Sequence, residues 1–162
     1  MNIVAMAKAA GIHLAISESL TGGLVCSALI ENAGASEVVL GGVVAYQDEL
    51  KSQLLGVDAQ LIRSQSAVDP EVAAQMAVGV RSKLATKCGV DEDSVIGVST
   101  TGVAGPDPVG TKPVGLCYLG ISSRNGIKVI SHEFSGDRQA IRAAAVAAAM
   151  RVIEEEISSL VG

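Results

Sequence analysis

GASEVVLGGVVAYQDELKSQLLGV, residues 34 to 57, holds the change of pattern on which the fold reading turns. Its first half, VVLGGVVAY (38–46), is rich in β-branched residues and bounded by polar stretches, which predicts a buried strand. Its second half, QDELKSQLLGV (47–57), predicts a short helix that ends near Gly56. A strand running straight into a helix is half of a β–α alternation, and the flanking sequence repeats it.

Upstream, HLAIS (13–17) is a short apolar run that reads as the first strand. SLTGGLVCSALIENAG (19–34) follows as a helix, with Leu24, Ala28 and Leu29 on one face and Gly34 as a stop signal. Downstream, residues near Asp58 start another helix. SAVDPEVAAQMAVGVRSKLAT (66–86) opens with Asp69 as N-cap, Pro70 at the first helical position and Glu71 as an early acid. SVIGVST (94–100) is a third strand. PVGLCYLGISS and IKVISHEF flank Arg124-Asn125-Gly126, and Asn-Gly between alternating apolar runs signals a hairpin. One strand of that pair is therefore antiparallel. The last segment is a long alanine-rich helix in which Ile141, Ala145, Ala148 and Val152 recur at helical spacing. The whole reads as one α/β domain, residues 1–162, with helices packed on a mixed, mostly parallel sheet.

Composition narrows the partners. Hydrophobic residues make up 49% of the 162, enough for a sizeable core, but aromatics are only 2%, so Val, Ile, Leu and Ala must build it. A net charge of −5 disfavours nucleic acid, which needs a basic footprint. No apolar stretch is long enough to span a membrane, and the opening MNIVAMAKAAGIHLAISESL reads as a helix leading into a strand rather than as a leader. Three widely spaced cysteines and two isolated histidines form no metal-binding cluster, so no metal and no cofactor are expected. Free thiols fit a reducing cytoplasm.

In open α/β sheets, ligands collect beyond the carboxyl ends of the strands. Those ends carry SESLTGG, YQDELK and TTGVAGPDPVGTKPVG, which together hold hydroxyls, glycines and charged side chains. TGG opens a helix, so its backbone N–H groups either face an anion or simply follow an N-cap at Ser19 or Thr21. TGVAGPDP is a plain turn or a ligand loop, and it matches neither common phosphate-loop pattern. Tyr46 ends a strand and Lys51 lies one turn into the next helix, which puts both polar tips at one rim. Lys51 is either a snorkelling surface lysine or a base. The second needs a pKa brought below about 10.4 by burial or a second cation, as in serine–lysine amidohydrolases.

SESLTGG, GGVVAYQDELKSQLLGV, STTGVAGPDP, KPVG and FSGDRQAIR occur here in one order and spacing. The chain strongly resembles the C-terminal domain of the CinA (competence/damage-inducible) proteins over nearly all of residues 5 to 158. That domain also exists alone as the PncC-type nicotinamide-nucleotide amidase. The resemblance implies a three-layer α/β/α sandwich and metal-independent hydrolysis of the carboxamide of nicotinamide mononucleotide to nicotinate mononucleotide and ammonia. It implies Ser36 as nucleophile, Lys51 as base and Tyr46 as the group relaying or orienting the proton. Thr101, with Gly102 beside it, would contact the nicotinamide ring or its amide. Arg138 would hold the 5′-phosphate through its guanidinium fork. Thr21, Gly22 and Gly23, at the opening of their helix, are further candidates for binding the substrate.

The sequence departs from the family pattern in three places. Tyr46-Gln47-Asp48 replaces the usual Tyr-Ser-Asn, Asp69 stands where serine is common, and Leu20 stands where cysteine is frequent. Asp48 adds an acid that favours a charged Lys51. Geometry also constrains the nucleophile. A strand over 38–45 spans roughly 23 to 27 Å at about 3.3 Å per residue, which sets Ser36 at the far end from Tyr46 and Lys51. Either Ser36 acts across an interface or Ser19, after the first strand, is the serine beside Lys51; the first is expected, with catalysis needing a homo-oligomer (a dimer or larger) whose sites are shared.

Overall fold

The computed structural model describes residues 2–162, and they form a five-stranded sheet with helices on both faces. The strands are β1 (His13–Glu18), β2 (Val39–Val44), β3 (Val95–Gly102), β4 (Leu116–Ser123) and β5 (Gly126–Glu133), arranged 2-1-3-4-5. β2, β1 and β3 are parallel neighbours, and β4 is antiparallel to both β3 and β5. Four of the five strands thus run one way, a mixed and mostly parallel sheet.

The helices are α1 (Ile3–Ala10), α2 (Leu24–Ile30), α3 (Asp48–Leu55), α4 (Ala59–Gln65), α5 (Pro70–Cys88) and α6 (Arg138–Val161). One layer packs α1, α2 and α6 over Leu14, Ile16, Ile96, Val98, Leu119 and Ile121. The other sets α3, α4 and α5 against Ala15 and Val95. The two residue sets alternate along β1 and β3, as strand geometry requires.

Local chemistry sets the boundaries. Asp69 caps α5 by accepting from Glu71 N–H at 2.8 Å, with Pro70 following, and Gly89 closes the helix at φ 68°. Asp58 caps α4 and Gly56 ends α3. α5 lies so close to its neighbours that a β-carbon on Gly97 would sit 2.2 Å from Ala77 O.

Several expectations need correction. β2 is an edge strand, not a buried one, and Val44 is 45% exposed. α2 buries Val25 and Leu29 while Leu24 faces out. It ends at Ile30 rather than running on toward Gly34, and a 3-10 turn, Ala35–Glu37, leads into β2. In α6 the register shifts by one residue near the end, so that Ile153 rather than Val152 is fully buried. No helix among the described residues is long and apolar enough to cross a membrane.

Candidate active site

The chain leaves β1 toward β2 on one side and leaves β3 toward β4 on the other, so the seam between β1 and β3 is the topological switch point. A pocket of about 150 Å³ opens there, lined among others by Ser19, Tyr46, Gly102, Gly105 and Arg138. Larger hollows of about 430 and 440 Å³ lie between α3 and α4 and between α5 and β5. Neither is lined by the carboxyl end of β1, β2 or β3. Ligands of open α/β sheets bind outside those ends.

Alternation along β1 and β3 carries four hydroxyls to the α5 face. Ser17 Oγ donates to Met76 O at 3.2 Å, Ser99 Oγ to Ala73 O at 2.6 Å and Thr101 Oγ to Ala67 O at 2.7 Å. These three tie the sheet to α5 and the turn before it. Ser19 continues the series. Its N–H donates to Thr100 O at 3.0 Å, holding it in the ladder, while its hydroxyl has no hydrogen-bond partner among the described residues and opens into the pocket.

Lys51 reaches the same strand ends from α3. It occupies the position four residues before Leu55 on the buried stripe of that helix, and its side chain is only 1% exposed. The amine donates to the backbone carbonyl of Tyr46 at 3.1 Å and lies 3.5 Å from Asp48 Oδ1. Burial pulls its pKa below the ordinary lysine value, and the nearby Asp48 carboxylate, itself half-exposed, opposes that shift without cancelling it. The ladder N–H of Ala45 donates to Glu18 O at 2.9 Å, so Ser19 comes level with Ala45, one residue from the carbonyl that holds the amine.

Tyr46 does not bring its hydroxyl to Lys51. The phenol projects to the α6 layer and accepts from Arg138 Nη2 at 3.0 Å, and Arg138 Nη1 donates to Gly105 O at 2.6 Å. It is the Tyr46 carbonyl that meets the lysine. Arg138 sits at the start of α6, behind the Asp137 cap, and its exposed guanidinium borders the pocket.

Thr21, Gly22 and Gly23 do not offer an open helix end. The buried Glu18 carboxylate fills it, accepting from Gly23 N–H at 2.9 Å, Val25 N–H at 3.1 Å and Cys26 N–H at 2.9 Å. A built-in anion thus takes the position a ligand anion would need. Thr21 is buried against Thr100, with 2.7 Å between the hydroxyls. Gly22 and Gly23 have φ of 62° and 98°, which a side chain would strain. Thr101 is likewise committed, to Ala67, and Gly102 is the member of that pair that lines the pocket. Ser36 lies in the turn before β2, at its amino end. Six strand residues at about 3.3 Å each separate it from the Tyr46 end, so a single chain cannot bring the two together.

Glu18 is the residue beside the pocket that sequence reading missed. Its signal was a carboxylate just before a glycine-rich helix start, a complement to the helix dipole.

Residues 1–157 match the model of the CinA C-terminal domain. The chain belongs to the CinA C-terminal domain family. A CinA-like protein of Frankia casuarinae is 40% identical over 147 residues, covering 91% of this chain and 32% of that protein. The chain thus spans about a third of the length of this curated relative. Among solved structures, the CinA superfamily protein of Klebsiella pneumoniae superposes with a TM-score of 0.83 at 29% identity, covering 97% of this chain and 96% of that one. The competence/damage inducible protein CihA of Agrobacterium tumefaciens gives 0.81 at 32% identity, covering 94% of each. The two solved structures share the three-layer architecture described above.

Proposed function

We propose that this CinA domain hydrolyses the carboxamide of nicotinamide mononucleotide, with Ser19 as nucleophile and Lys51 as base. The observation that carries the reading is a wholly buried amine with a lowered pKa at the strand ends where one hydroxyl has been left unbonded. Burial in a low-dielectric site favours the neutral amine, the form able to take a proton. Ser19 rather than Ser36 fits because it and the amine share one end of the sheet, and no second subunit is required to complete the site.

In the reaction, Ser19 Oγ forms a bond to the carboxamide carbon as its proton passes to Lys51 Nζ, and the carbonyl π pair moves onto oxygen. Collapse of the tetrahedral species breaks the C–N bond. The departing nitrogen takes the proton from Lys51 and leaves as ammonia. Water then attacks the acyl-serine with the same proton movements and releases nicotinate mononucleotide. Arg138 supplies a planar cation for the 5′-phosphate, suited to bidentate pairing, once it exchanges its bond to Gly105 O. A pocket of about 150 Å³ is smaller than the roughly 300 Å³ of pockets that enclose drug-sized ligands. It accommodates the reacting head and leaves the phosphate end at the open rim where Arg138 stands.

Ammonia release from nicotinamide mononucleotide by the purified protein, with chelator present, tests the reading. Turnover that survives chelation and disappears in Lys51→Ala supports it. Asp48, 3.5 Å from the amine, favours a second reading, a nucleotide-binding domain whose lysine stays charged. Saturable nucleotide binding without ammonia release would decide for that one.

A further inference from the structure

The seam between β1 and β3 comes apart just where the pocket lies. Ser19 N–H still donates to Thr100 O, so the backbone groups of Thr100 face β1. Two residues on, a regular parallel ladder would give Gly102 N–H to the carbonyl of Ser19. That carbonyl has turned away, accepting instead from Gly22 N–H at 3.1 Å in the tight turn that starts α2. Gly102 N–H is left facing the seam with no carbonyl opposite.

Ala104 N–H points to the same side. The carbonyl of its own peptide, Val103 O, accepts from Gly115 N–H at 2.8 Å on the β4 side, and in a trans peptide the N–H points opposite to the carbonyl. Leu20 N–H comes from across the seam. Its peptide carbonyl is the Ser19 oxygen committed to Gly22, which directs the N–H away from that turn. Neither Leu20 N–H nor Ala104 N–H finds an acceptor among the described residues, although these residues are only 4% and 5% exposed. Buried backbone N–H groups are paired in the great majority of cases. Here Leu20, Gly102 and Ala104 all border the pocket that holds the unbonded Ser19 hydroxyl.

We propose that the backbone N–H groups of Leu20, Gly102 and Ala104 form an oxyanion hole for the tetrahedral species built on Ser19. The inference rests on the amidase reading above. As the serine oxygen bonds to the carboxamide carbon and its proton moves to Lys51, the carbonyl oxygen gains a full negative charge. Preorganised donors directed at that oxygen stabilise it without reorganising. Leu20 follows the nucleophile directly, so its N–H is held in fixed relation to the attacking atom. The donors belong to the main chain, which makes the hole indifferent to the Leu20 departure from the family pattern.

The test replaces Leu20, and separately Ala104, with the corresponding α-hydroxy acid in the full chain, turning one N–H into an ester oxygen. Ammonia release is read beside labelling of Ser19 by a small alkyl fluorophosphonate, located by mass spectrometry. In that labelling the serine oxygen displaces fluoride from phosphorus, its proton passes to Lys51, and the phosphoryl oxygen occupies the hole. Each ester variant is expected to lower kcat by about 10² to 10³, to slow labelling at least about tenfold, and to leave Tm unchanged because the lost N–H bonds nothing in the free protein. Ester variants that label at the unmodified rate overturn the hole. Unmodified protein that labels at Ser19 but releases no ammonia defeats the amidase reading alone. Absence of both labelling and ammonia release defeats the two together.

Discussion

Replacing Glu18 with glutamine changes a single atom type at the centre of the site's scaffold. The carboxylate is 1% exposed and accepts three backbone N–H groups at the start of α2, two on Oε2 and one on Oε1. Glutamine has one carbonyl oxygen. Its better orientation keeps Gly23 and Val25 paired and turns an amide NH₂ against Cys26 N–H. One charge-assisted bond, about 1.5 to 3 kcal/mol, is lost, the remaining two weaken to neutral strength, and a buried donor stays unsatisfied. The expected loss is about 2 to 4 kcal/mol. A domain of this length shifts by about 2 to 4 °C per kcal/mol, so Glu18→Gln should lower Tm by about 6 to 12 °C near the middle of that range. Circular dichroism melts at matched concentration and pH measure it. Because the same turn carries Ser19 and Leu20, turnover at a temperature well below Tm should fall as well. A melt within about 2 °C of the unaltered protein would refute the claim that Glu18 is the built-in anion of this helix.

The lowered pKa of Lys51 makes kcat rise with pH and level off below the pH at which an exposed lysine, at about 10.4, would do so. Between its folded and unfolded pKa values the unfolded chain holds a proton that the folded chain lacks, so stability rises with pH across that window. Lys51→Met should abolish turnover and remove the rise of stability with pH across that window, as activity assays and denaturant titrations at several pH values will show. Arg138→Lys removes the fork that grips a phosphate and should raise KM by about tenfold or more with a smaller change in kcat. Burial pushes the Cys117 thiol up to about 12 while Cys88 is exposed. Iodoacetamide near neutral pH should therefore modify Cys88 and spare Cys117 until the protein unfolds, a difference that peptide mapping resolves.

Much of the fold was legible because its punctuation is local. Asp69-Pro70, Gly56 and Asn125-Gly126 each act within a turn of chain, and the structure places a helix start, a helix stop and a hairpin there. The edge position of β2 was not legible, since VVLGGVV has the same composition whether one neighbour or two flank it. The one-residue error in α2 has a similar source: Leu24 and Val25 are both apolar, and only packing against α6 decides which faces in. At the site, the strand-end rule gathered Ser19, Tyr46, Lys51 and Gly102 without knowledge of their contacts, and the family resemblance added Arg138. What it could not supply was side-chain commitment. Thr101 read as a substrate contact and Thr21 as an N-cap or substrate-binding residue, yet a carbonyl before α5 and Thr100 across the sheet engage their hydroxyls. Tyr46 read as a phenol beside a lysine, whereas its carbonyl makes that contact. Ser36 was implied by resemblance, and the length of one strand was enough to question it.

The choice between Ser19 and Ser36 tests the central claim most directly. Ammonia release from nicotinamide mononucleotide should be compared for Ser19→Ala and Ser36→Ala, with circular dichroism confirming that both fold. Loss of about 10³-fold or more in kcat for Ser19→Ala, with Ser36→Ala within about threefold of the unaltered protein, is the predicted result. Turnover retained in Ser19→Ala and lost in Ser36→Ala would contradict it.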